Sequence, residues 1–106
     1  MNIKRNINEK TIASLEALAG ERLSLGGLLK SIRQGEEMTQ PEFSSLLGVS
    51  KQYLCDIEKA RRFISPKQAV LYAKKLGYGE EQFVRLCLQD IINRDGLSCI
   101  VSVKAA

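Results

Sequence analysis

Residues 38–62 read MTQPEFSSLLGVSKQYLCDIEKARR. Phe43, Leu46 and Leu47 recur at helical spacing, and Leu54 and Ile57 do so again further on. Between the two runs Gly48 and Val49 interrupt the pattern, and Ser50 restarts it as a capping residue. The spacing predicts one helix over Gln40 to Leu47 and a second over Lys51 to about Lys59. Thr39 with Glu42 three residues on matches a capping box, and Pro41 falls in a first turn, where its missing N–H costs nothing. Gly48 supplies a turn conformation that other residues resist, and Val49 plugs the angle. Ser44 is small enough to stand where the two helices come closest.

Working outward, Leu25, Leu28, Leu29 and Ile32 make one face of a helix from about Ser24 to Gln34, with Gly35 as its terminator. Its Gly26-Gly27 pair is weak helix material. Upstream, Ile12, Leu15, Leu18 and Ala19 predict a helix over Glu9 to Ala19, closed by Gly20. Downstream, Ser65 caps a helix with Ala69, Val70, Ala73 and Leu76 inward and Gly77 at its end. A last helix runs from about Glu80 to Asn93. Its apolar surface, with Phe83, Val84, Leu86, Cys87, Ile91 and Ile92, is wider than one contact requires.

After the Asp95-Gly96 turn signal the character changes. Leu97, Cys99, Ile100, Val101 and Val103 predict a β-strand. A lone strand needs partners for its peptide groups, either in its own subunit or from a second copy.

The chain has 106 residues, 44% hydrophobic and 26% charged, which fits one soluble domain. No apolar run approaches a membrane span, and MNIKRNINEK lacks the apolar core of a secretory signal. The three cysteines, Cys55, Cys87 and Cys99, are odd in number, have no metal-ligand spacing and sit in apolar segments; buried thiols in a reducing cytoplasm are expected. No histidine and no Gly-rich phosphate loop are present, so neither enzyme activity nor a metal or cofactor is expected. The net charge of +4 permits an anionic partner without requiring one.

Two short helices at a steep angle, joined by a glycine-containing turn, form a helix-turn-helix. Such a break holds the second helix out from the body, where it can enter a DNA major groove. The segments IRQGEEMTQPEF, LLGVS, YLCDIEKARR and SPKQAVLYAKKLG, between about Ile32 and Leu76, resemble the lambda-repressor-like, Cro-type (XRE-like) helix-turn-helix family in order and spacing. The resemblance implies an all-α bundle of five to six helices. It divides the chain into a helical extension over 1–22, a DNA-binding domain over 23–93 and a C-terminal strand or tail over 94–106. Two positions depart from the family pattern: Ser44 stands where alanine is usual, and Ala60 where glycine is usual.

The resemblance implies that Lys51, Gln52 and Asp56 face the bases. Gln pairs with adenine, Lys donates to guanine, and Asp accepts from cytosine or repels phosphate. It implies phosphate contacts from Gln40, Ser50, Lys59, Arg61 and Arg62, with Tyr53 on a phosphate or packed on the domain. Glu58 is expected to bond an interhelical donor such as Arg33. A bundle of this kind reads few base pairs, so a dimer on a palindromic site is expected. Its interface is assigned to Phe83, Leu86, Ile91, Leu97, Cys99, Ile100, Val101 and Val103, with the strand pairing antiparallel to its copy. The expected activity is that of a homodimeric repressor of transcription. The alternative is the antitoxin of a toxin–antitoxin pair that also represses its own operon, with a toxin protein as second partner.

Overall fold

The computed structural model describes residues 23–106. The extension over 1–22, with the helix expected at 9–19, lies outside the described residues. Five helices follow in order: α1 Leu25–Gly35, α2 Gln40–Leu47, α3 Lys51–Glu58, α4 Pro66–Leu76 and α5 Glu80–Arg94. The all-α helix-turn-helix bundle expected from the sequence is what the chain forms.

Four of the five starts are capped by side chains. Ser24 Oγ accepts from Gly27 N at 2.9 Å and Ser50 Oγ from Tyr53 N at 3.0 Å. Thr39 and Glu42 form a full capping box at 3.2 and 2.8 Å, and Ser65 and Gln68 form another at 3.2 and 3.3 Å. α5 has no side-chain cap, but Glu80 and Glu81 in its first turn complement the helix dipole.

All five helices end in the same paired hydrogen-bond closure, with one residue in the left-handed region. Glycine takes that place at Gly48, Gly77 and Gly96, whereas Glu37 (φ 54°) and Ala60 (φ 59°) take it at the ends of α1 and α3. Gly35, expected to end α1, is instead its last helical residue, and the reversal falls on Glu37.

The core joins Leu28 and Leu29 of α1, Phe43 and Leu47 of α2, Leu54 and Ile57 of α3, Ala69, Ala73 and Leu76 of α4, and Phe83 and Leu86 of α5. α5 packs most extensively on α4 and also reaches α1; α1 packs on α3. The α1–α3 approach explains the glycine pair. A Cβ at Gly26 would overlap the Ile57 carbonyl oxygen, so that position needs the bare backbone.

Three expectations are corrected here. Residues 97–103 form no strand, and no strand occurs among the described residues. β-propensity creates no ladder without a neighbouring strand, and in the single chain this segment finds a side chain instead. Gln89, 1% exposed, donates from Nε2 to Cys99 O and accepts at Oε1 from Val101 N, both at 2.8 Å. Phe83 and Leu86, assigned to a dimer interface, are core residues of their own chain, at 1% and 0% exposure. Phe83, Leu86 and Cys87 of the wide apolar surface of α5 are buried, whereas Val84 and Ile92 stay half-buried. Ile91, Val101 and Val103 are half-buried, and Leu97, Cys99 and Ile100 are exposed. Of the three cysteines expected to be buried, only Cys87 is; Cys55 is half-buried and Cys99 exposed.

Candidate nucleic-acid interface

The turn between α2 and α3 is built from three interactions. Gly48 (φ 80°) lets Val49 N donate back to Ser44 O at 2.9 Å. The half-buried Val49 packs on the core. Lys75 Nζ, from the last turn of α4, donates to Leu47 O at 2.9 Å, satisfying a carbonyl that the end of α2 leaves open. Ser44 is 4% exposed and disposes of its hydroxyl by donating to Pro41 O at 3.0 Å. A serine at this close approach therefore leaves no buried donor unpaired.

α3 turns Leu54 and Ile57 inward and leaves Lys51 and Gln52 exposed and Asp56 half-buried. Asp56 ties two neighbours together. Its Oδ1 accepts from Gln52 Nε2 at 3.0 Å and lies 3.2 Å from Arg61 NH2. The three side chains thus share one patch, although Arg61 lies beyond the helix. Gln52 retains its carbonyl oxygen and a second N–H for a base edge. Cys55 is half-buried beside Arg61, with NH2 3.8 Å from its sulfur.

The loop after α3 places the other basic groups. Arg61 N bonds Asp56 O at 2.8 Å and Ala60 N bonds Ile57 O at 3.1 Å, so the left-handed Ala60 turns the chain sharply back. Lys59, Arg61 and Arg62 are all exposed. The Arg62 guanidinium lies 4.6 Å from the Tyr53 ring centre, a cation–π contact that sets its direction. Tyr53 OH accepts from Gln68 Nε2 at 3.1 Å, so the ring packs on the domain while its hydroxyl proton stays available to a phosphate.

Behind this face Glu58 is fully engaged. It accepts from Arg33 Nε at 2.8 Å and NH2 at 3.0 Å, and from Gln40 Nε2 at 3.1 Å. Arg33 NH1 also reaches Met38 O at 3.1 Å. The hydrogen bond to Glu58 raises the Arg33 pKa, against the opposing effect of burial. This bidentate pair clamps α1 to α3 and neutralises an acid that would otherwise oppose a polyanion. Sequence reading anticipated the Arg33–Glu58 bond but placed Gln40 on a phosphate. In the structure one Gln40 N–H is already given to Glu58, and the second is left for an anion at the start of α2.

Lys75 and Gln68 escaped the sequence reading. Both lie on α4, and nothing in their own neighbourhood signals that they brace the turn and Tyr53. Among the described residues no cluster of groups could hold a metal ion, and no helix is long and apolar enough to cross a membrane.

Comparison with known proteins adds one match. A family model described as helix-turn-helix covers residues 29–83, just over half of the chain. It spans the end of the core of α1, all of α2, α3 and α4, and the start of α5. Comparison with curated proteins and with solved structures found no match.

Proposed function

Because the chain belongs to the XRE-type helix-turn-helix family of DNA-binding transcription regulators, we propose that it is a sequence-specific, homodimeric cytoplasmic repressor that reads a palindromic operator through α3. Lys51, Gln52 and Asp56 face the bases. Ser50, Tyr53, Lys59, Arg61, Arg62 and the free N–H of Gln40 hold the flanking phosphates.

The observation that carries this reading is the patch around Asp56. Gln52 and Arg61 are held on one carboxylate at 3.0 and 3.2 Å. Side chains ordered before binding lose less entropy when they meet a base or phosphate. The tail supports the dimer: Ile100 is 79% and Leu97 51% exposed, on a segment fixed to α5 by Gln89. The remaining interface residues are Ile91, Cys99, Val101 and Val103, in place of the buried Phe83 and Leu86.

A gel-shift titration against the DNA upstream of its own gene, at two salt concentrations, tests the reading. Tight binding that weakens with salt and is lost in a Lys51→Ala, Gln52→Ala double variant is expected. Equal, weak binding of both proteins to any DNA would remove α3 from the role of reader.

A further inference from the structure

A cavity of about 320 Å³ opens behind α3, between the start of α1 and the end of α5. Ile57, Ala60 and Ile64 give it an apolar wall, and the bare backbone of Gly26 forms part of its floor. Its volume is that of a small-ligand pocket. One side is the carboxylate of Asp90. Oδ2 accepts from Leu25 N at 3.0 Å, and this backbone N–H is its one hydrogen-bond partner among the described residues. No described lysine or arginine forms an ion pair with it.

A half-buried carboxylate with no counter-ion among the described residues is an unusual wall for an apolar cavity. Desolvation of this kind favours the neutral acid and is relieved by a cation. Burial pushes the Asp90 carboxyl up to about 6, against the opposing pull of the Leu25 N–H. At neutral pH the group is still an anion. Two arginines also line the cavity, but each is turned to a ring. Arg62 lies over Tyr53 at 4.6 Å, and Arg94 lies over Phe63 at 4.4 Å and 3.7 Å from Asp95. Among the described residues the Asp90 carboxylate pairs with neither arginine.

We infer that this cavity is a binding site for a small organic amine, a protonated nitrogen on an apolar body, with the nitrogen on Asp90 and the body against Ile57, Ala60 and Ile64. The recognition requires a donor-bearing cation, because the free oxygen of Asp90 accepts only. It also requires an apolar body of modest size, because the cavity holds only about 320 Å³ and Ile57, Ala60, Phe63 and Ile64 line it.

The test is a titration of the full chain at pH 7.5 followed by amide chemical shifts, with benzylamine, benzyl alcohol and benzoate as probes. Benzylamine should give saturable shifts at Leu25, Gly26, Ala60 and Ile64 with a Kd of about 1 mM or tighter, the range of a fragment of this size. Benzyl alcohol, and benzylamine on Asp90→Asn, should each bind roughly tenfold more weakly, the loss of one charge-assisted contact. Asn retains an acceptor for Leu25 N, so the variant keeps the start of α1, which its thermal melt checks. The inference fails if benzylamine gives no saturable shifts or shifts scattered over the surface. It also fails if benzoate or benzyl alcohol binds as well as benzylamine, or if Asp90→Asn binds benzylamine as well as the wild type.

Discussion

Lys75 and Leu47 stand 28 residues apart in sequence and meet at 2.9 Å, the ammonium of one donating to the carbonyl of the other. The angle of the helix-turn-helix is therefore held from outside the motif, by the last turn of α4. A cation at a helix C-terminus also complements its dipole.

Replacing Lys75 by Met removes this bond while keeping most of the aliphatic stem. The expected cost is about 1 kcal/mol, the sum of one charge-assisted hydrogen bond and a dipole contact less solvent screening. Urea denaturation should show a lower midpoint with an unchanged slope. An unchanged midpoint would mean that water replaces the ammonium at no cost.

The two neighbouring glycines of α1 should behave differently. A Cβ at Gly26 overlaps the Ile57 carbonyl, which belongs to backbone and cannot swing away. At Gly27 it would lie 3.1 Å from Ser24 Oγ and 3.4 Å from Leu23 Cδ1, both side-chain atoms. Gly26→Ala is expected to lose about 3 kcal/mol or more, the upper range for overpacking. Gly27→Ala should stay within about 1 kcal/mol of wild type, as helix propensity offsets the crowding. Thermal melts of the two variants check this order, and equal losses would contradict it.

Ala60 holds a left-handed backbone at φ 59° to close α3. Ala60→Gly should raise stability by about 0.5–1 kcal/mol, since relief of the strain exceeds the added freedom of the unfolded chain. Denaturant titration measures it directly, and a destabilised variant would show that the alanine methyl contributes packing that outweighs the strain.

Asp90 makes stability depend on pH in an identifiable direction. Its carboxyl is pushed from 3.8 up to about 6 by burial. The folded state thus holds the proton more tightly than the unfolded state, and this contribution to stability is lost as pH rises from about 4 to about 6. Partial exposure to solvent limits the effect to about 1 kcal/mol. Asp90→Asn cannot titrate, so its stability relative to wild type should rise across that window and level off above it. A difference that stays flat from pH 4 to 7 would show that the group keeps an ordinary pKa.

The helices were legible because their signals are local. Thr39 with Glu42, Ser50, and Ser65 before Pro66 each mark a start within four residues, and Gly48 and Gly77 mark ends by conformation alone. The end of α1 was misplaced by two residues because Gly35 advertised an ability that Glu37 exercises. Residues 97–103 carry strand propensity, yet propensity does not name a partner, and the one available lay in a glutamine that reads as helix surface. Phe83 and Leu86 were misassigned for a related reason. A wide apolar face shows that two neighbours are needed, but not that both belong to the same chain. Asp90 and its cavity left no trace in the sequence, because burial of a single acid follows from how α1 and α5 close on each other.

The grip of Gln89 on the tail has a consequence for exchange between molecules. Its amide holds the peptide groups on either side of Ile100, one accepting and one donating, as a neighbouring strand would. A departing tail gives up both bonds while Gln89 Nε2 keeps its bond to Asn93 Oδ1 at 3.0 Å, a net cost of about 1–3 kcal/mol for the two bonds lost. Departure of the tail is therefore opposed unless another peptide takes its place. The amide recognises a backbone and no particular side chain, and an identical backbone is carried by every other copy. Two molecules trading tails would break and remake the same four hydrogen bonds, leaving the balance between closed monomer and swapped pair to concentration and to the reach of the Asp95-Gly96 hinge.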